Sequence, residues 1–166
     1  NAIAVNRNKV AAAAVSNQTN VTILNVAPTL TITGTTDTVA EGSTFTLALG
    51  TPQDPGNDTV YAYTVHWGDG ESDLYNAAGI TSHRYADGTA AYTVTVDLAD
   101  EDGNYSAVAS TAITVTNIAP TVQTGAPLTT TTGVTVTLLV TITDPGDDLA
   151  TAQIDWGDGP RSTGTI

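Results

Sequence analysis

Apolar and polar residues alternate along most of this chain, and Gly, Pro, Asn and Asp interrupt the alternation at short intervals. A period of two predicts half-buried β-strands, because successive side chains of a strand point to opposite faces. The pattern predicts strands over 29–33, 43–49, 60–67, 91–98 and 107–116, with a weaker one over 73–80. Ala40-Glu41-Gly42, Asp54-Pro55-Gly56, Gly68-Asp69-Gly70 and Asp100-Glu101-Asp102-Gly103 are the turns between them. Short strands with turn signals this close together describe an all-β, two-sheet antiparallel sandwich.

The pattern also repeats. Tyr63-Thr64-Val65-His66-Trp67-Gly68-Asp69-Gly70 returns as Ala152-Gln153-Ile154-Asp155-Trp156-Gly157-Asp158-Gly159, and these hold the only two tryptophans of the chain. Asn25-Val26-Ala27-Pro28-Thr29 returns as Asn117-Ile118-Ala119-Pro120-Thr121, a spacing of 92 residues, and Asp54-Pro55-Gly56 returns as Asp144-Pro145-Gly146. Such a period suits one small sandwich. The same shift lays residues 2–25 over 94–117, so that Ile3, Val5, Val21 and Ile23 read as two closing strands despite an Ala-rich run at 10–15 that could pass for a helix. Three segments follow: 1–25 as the closing strands of a preceding repeat, 26–117 as a complete sandwich, and 118–166 as the opening half of a following one. Residues 2–24 are expected to complete a sandwich with residues 118–166 of a neighbour, either a separate identical subunit or the same longer polypeptide.

Composition narrows the partners. Thr accounts for 33 of 166 residues, and β-branched side chains favour strands. Four basic against seventeen acidic residues give a net charge of -13, which would repel a phosphate backbone, so nucleic acid is not an expected partner. No apolar run approaches the roughly 20 residues of a membrane-spanning helix. The absence of Cys leaves neither a disulfide framework nor a thiolate metal site.

Trp67-Gly68-Asp69-Gly70, then Ser82-His83-Arg84-Tyr85, then Gly88 and Ala91-Tyr92-Thr93-Val94-Thr95-Val96-Asp97 together resemble the polycystic kidney disease (PKD) repeat. An extra Thr-Ala separates Gly88 from the last run, and Asn25-Val26-Ala27-Pro28 resembles the junction between such repeats. The resemblance covers nearly all of 26–117 and the front of the next segment. It implies tandem immunoglobulin-like sandwiches of an extracellular or cell-surface protein, and it leaves the function open, because the fold hosts many.

In an immunoglobulin-like sandwich the start of the chain, the loop after the second strand and the last hairpin loop share one pole. Here they bring Asn25, Asp54, Asp58, Asp100 and Asp102, and the second repeat supplies Asn117, Asp144 and Asp148. Calcium takes six to eight hard oxygen ligands, and a cation would relieve repulsion among the carboxylates. Some members of the resembling family bind calcium at this pole. The competing reading is that Asp and Gly merely build turns there. Trp67 and Trp156 could stack on a sugar, but strand ends before a tight turn favour core anchors at equivalent positions. Asp69 and Asp158 are expected to bond their own turns, and His83 to bond within the sandwich. Neither histidine has a nucleophile or acid arranged beside it, so no catalytic residue is assigned and the chain reads as no enzyme. Asn-x-Ser/Thr sequons stand at Asn17, Asn20, Asn57 and Asn104.

The expected function is a non-enzymatic structural repeat of an extracellular or surface protein, a stalk, adhesin or filament unit stacked head to tail with neighbouring repeats or identical subunits. The alternative is an accessory polysaccharide- or protein-binding module of a secreted hydrolase, for which Tyr61, Tyr63 and Tyr92 are the aromatic candidates.

Overall fold

The computed structural model describes residues 22–56, 58–157, 159 and 162–163. In chain order the first eight strands are β1 (Ile32–Gly34), β2 (Thr38–Ala40), β3 (Thr44–Leu49), β4 (Ala62–His66), β5 (Ser72–Tyr75), β6 (Gly79–Arg84), β7 (Ala90–Ala99) and β8 (Asn104–Thr116). They form two sheets, one ordered β1-β3-β6 and the other β2-β8-β7-β4-β5. No helix occurs among the described residues.

Alternation builds the core between the sheets. β3 turns Phe45, Leu47 and Leu49 inward, β4 contributes Tyr63 and Val65, and Trp67 follows it. From the other side come Val94, Val96 and Leu98 of β7 with Ile113 and Val115 of β8. Each such side chain, once buried, contributes about 1.5–3 kcal/mol of transfer free energy. Trp67 and Phe45 meet edge to face, their centroids 6.4 Å apart.

The sheets depart from the sequence expectation in three places. The first strand begins later, at Ile32, and Thr29 is tied to Gln53 by a single bridge. The weak segment over 73–80 is two strands, β5 and β6, in different sheets. The sequence pattern predicts no strand over 38–40, yet β2 pairs with the end of β8, and it does so in parallel, Val39 facing Val115. The antiparallel rule therefore holds for every other pairing of the sandwich but not for this edge.

Beyond residue 120, β9 (Thr121–Thr124) pairs with β10 (Val140–Thr143), and β11 (Gln153–Ile154) pairs with β12 (Ser162–Thr163), each antiparallel. Trp156 is 45% exposed, whereas Trp67 is fully buried. The expectation of two equivalent core anchors is thus corrected. Trp67 is covered by Phe45 and His83 of the second sheet and by Tyr85 beyond it, whereas Trp156 follows a strand that, among the described residues, belongs to a two-stranded ladder. The expected N-terminal closing strands fall on residues 1–21, outside the described ones. Ile23, assigned to the second of them, lies in no strand and is exposed.

Candidate metal sites

At the pole where the chain enters the sandwich, three carboxylates converge. Asp54 opens a tight turn, its Oδ1 accepting the Gly56 N–H at 2.6 Å. Asp100 opens the β7–β8 hairpin, and its Oδ1 accepts the N–H groups of Asp102 and Gly103 at 2.8 and 3.0 Å and the Tyr105 hydroxyl at 3.3 Å. Asp54, Asp58 and Asp100 each place a carboxylate oxygen within 4.8 Å of the others. Asp54 Oδ2 and Asp100 Oδ2 are buried without a hydrogen-bond partner, and Asp100 as a whole is only 2% exposed. Desolvation and then the charges of Asp102, Asp54, Glu101 and Asp100 push the Asp58 carboxyl above its usual value.

A second group lies at the opposite end of β8. Asp144 repeats the Asp54 turn, with Gly146 N–H donating to Oδ1 at 2.9 Å and Oδ2 buried without a partner. Asp144 and Asp148 share a 4.8 Å neighbourhood with Glu41, from the turn between β2 and β3. Glu41 is fully buried, and its two oxygens accept the N–H groups of Ile118 at 2.8 Å and Gly88 at 2.7 Å. The Asp148 carboxyl is pushed up by desolvation, then by Glu41, Asp87 and Asp144.

The structure therefore divides the eight sequence-predicted ligands. Asp54, Asp58 and Asp100 meet at one pole, and Asp144 and Asp148 at the other. Asp102 turns a backbone N–H towards Asp100 and adds charge near Asp58 without joining that group of three. Asn25 donates to the Tyr105 hydroxyl, which in turn donates to Asp100. Asn117 donates to Asp148 Oδ2 at 3.3 Å. Sequence reasoning missed Glu41, because Ala-Glu-Gly between strands reads as an exposed turn. Glu41 stands 103 residues before Asp144, a little more than one repeat, and only the fold converts that separation into contact.

Both groups have the chemistry of a hard-cation site. An unsatisfied buried carboxylate oxygen is costly, and adjacent carboxylates repel. Oxygens within 4.8 Å of one another can share an ion lying about 2.4 Å from each, the calcium distance. The acidic groups could thus hold a metal ion.

The histidines occupy structural positions. His83, buried, stacks on Trp67 and bonds Asp69 Oδ2 at 2.6 Å. Asp69 also accepts the Glu71 N–H, as expected of its turn, whereas Asp158 lies outside the described residues. Partial burial raises the Asp69 carboxyl, but the His83 and Glu71 bonds outweigh this and hold it below its usual value. His66 bonds Asp97 at 3.0 Å, which also accepts the Ala107 N–H. Of the three aromatic candidates for ligand stacking, Tyr63 is buried, Tyr92 stacks on Tyr85, and Tyr61 is exposed. Of the sequons, Asn104 is exposed at the start of β8, and Asn17, Asn20 and Asn57 lie outside the described residues.

No family model and no curated protein matches the chain. A solved structure concerning the promiscuous specificity of carbohydrate-binding modules from the β-sandwich superfamily is similar at 20% identity and a TM-score of 0.49. The similarity covers 57% of this chain and 36% of that one, so the chain spans about a third of its length.

Proposed function

We propose that this chain is a non-enzymatic structural segment of an extracellular or cell-surface protein, built from tandem PKD-like sandwiches with boundaries near residues 25 and 117. It acts as a stalk, adhesin or filament unit, and its natural contacts are neighbouring repeats or identical subunits joined head to tail. The observation that carries this reading is the sequence register, in which the 25–29 junction returns 92 residues later and the Asp-Pro-Gly loop returns with it. End-on contact accompanies that register. Arg84 donates to the carbonyls of Gly42 and Pro145, and Asp147 N–H donates to the Ala86 carbonyl.

Calcium is the cation assigned to the acidic poles. The donors are all oxygens, which suit a hard ion, and no Cys is present to select a softer one. A protein with a net charge of -13 would gain solubility from its surface and rigidity from ions at its loops.

Electron microscopy of the native particle tests the reading. A beaded thread or a fibre is expected, and a compact globule would overturn it. The alternative, a polysaccharide- or protein-binding module, predicts retention on glycan or matrix columns that Tyr61→Ala abolishes, whereas the spacer reading predicts no retention.

A further inference from the structure

We infer that the first sandwich carries a socket, formed by Glu41, Gly42 and Arg84, whose partner is the Asp144-Pro145-Gly146 loop of the following unit, and that this fit fixes the angle between the two. The inference rests on the tandem-spacer reading above and supplies the surface through which its units meet. Arg84 is the only Lys or Arg among the described residues of a chain with a net charge of -13. It nonetheless forms no salt bridge with a described carboxylate. Its Nε donates to the Gly42 carbonyl at 2.7 Å and its Nη2 to the Pro145 carbonyl at 2.8 Å, one acceptor from each unit. A planar guanidinium holds its donors in a fixed fork, so the two bonds set a distance and a direction that a flexible ammonium would leave open.

Shape agrees with the bonds. Gly42 stands at φ +69°, and a Cβ there would lie 2.2 Å from the Pro145 carbonyl oxygen. On the facing loop, a Cβ on Gly146 would lie 2.6 Å from the Glu41 carboxyl carbon. Each unit thus lacks a side chain where the other passes, as glycine allows where backbones approach closely. Glu41 is fully buried, and its oxygens accept the Gly88 N–H at 2.7 Å and the Ile118 N–H at 2.8 Å, which ties the linker to the first sandwich. Asp147 N–H donates to the Ala86 carbonyl at 3.0 Å. Bending the joint would break the bonds at Ile118, Pro145 and Asp147 together. Thr44-Phe45-Thr46-Leu47 returns as Thr135-Val136-Thr137-Leu138, which sets Gly42 against Gly133 and Glu41 against Thr132. The carboxylate of the socket therefore belongs to the first unit and not to the repeat as such.

Paired nitroxide labels at Ser110→Cys and Thr141→Cys, one in each unit, test the inference on the 166-residue chain at a fixed calcium concentration. Native Cys is absent, and both positions are exposed. The parent should show a single narrow distance between the labels. Arg84→Ala should lose it. Gly42→Asn should lose it too, because Asn tolerates the left-handed turn yet carries the Cβ that meets Pro145. Neither change removes a carboxylate, so the loss is not one of metal ligands. Arg84 is exposed, and Trp67 fluorescence in a Trp156→Phe background should match the parent's, which separates a freed joint from an unfolded sandwich. Should one variant unfold, the other decides. A broad distribution in the parent, or a narrow one that survives the changes, overturns the inference. A compact native particle overturns the spacer reading instead and leaves the labels to decide the socket.

Discussion

His83 lies flat on Trp67, their ring centroids 4.9 Å apart and their planes 8° from parallel. The stack joins two motifs that are distant in sequence, since His83 also bonds Asp69 of the Trp-Gly-Asp-Gly turn and Tyr85 donates its hydroxyl to the Trp67 carbonyl at 3.0 Å. The turn, the indole and the β6 strand are one packed cluster.

Trp67→Ala should therefore cost about 3–5 kcal/mol, the range for removing a large aromatic from a packed core. Trp156→Ala should cost about 1 kcal/mol or less, because the residue is 45% exposed. Denaturant unfolding of the two variants checks the contrast, and equal losses would contradict the packing described.

Gly68 stands at φ +92°, and a Cβ there would lie 2.8 Å from the Thr93 carbonyl oxygen. Gly68→Ala should destabilise the sandwich by about 1–3 kcal/mol through backbone strain. A melting temperature equal to that of the parent would show that the turn can relax.

Acid should weaken the cluster in a defined window. Asp69 and Asp97 both lie below their ordinary value of 3.8, since their hydrogen bonds outweigh the upward push of partial burial. A carboxylate whose folded pKa is depressed contributes stability that is fully present above the unfolded value. That contribution is lost as pH falls through the folded one. Stability should thus decline below about pH 4, with a smaller decline in Asp69→Asn, as followed by unfolding at stepped pH.

Much of this was readable from alternation, because β3, β4, β7 and β8 place apolar residues inward at every second position. β6 was blurred for the opposite reason. Its inward residues are the polar Thr81 and His83, while Ile80 points out at 80% exposure, so its hydrophobic pattern is inverted. Two buried hydrogen-bonded groups replace an apolar stripe there, and pattern alone cannot tell that from a loop. The acidic pole was legible because turn residues cluster where hairpins end. Glu41 was not, since nothing local distinguishes a turn glutamate from one that a later loop will bury.

Calcium should raise thermal stability. Binding to the folded state alone adds RT ln(1 + [L]/Kd), about 2.7 kcal/mol at a hundredfold excess over Kd. Asp100→Asn removes a carboxylate whose Oδ2 is buried and unpartnered, so the calcium-dependent gain should shrink in that variant. Scanning calorimetry in calcium and in chelator measures it, and identical curves in the parent would rule out an ion at this pole.

The parallel pairing of β2 with the end of β8 bears on what happens when the segment is pulled from its ends. The chain comes in beside Asp54 and leaves past Thr116, at opposite ends of a strand spanning 13 residues and thus about 40 Å. Tension along that line draws β8 lengthwise between β7 on one side and β2 on the other, so its ladder bonds are loaded in shear and must give way together. A hairpin peeled from one end would surrender them singly. The short edge strand, three residues long, thereby turns the exit of the chain into a mechanical latch.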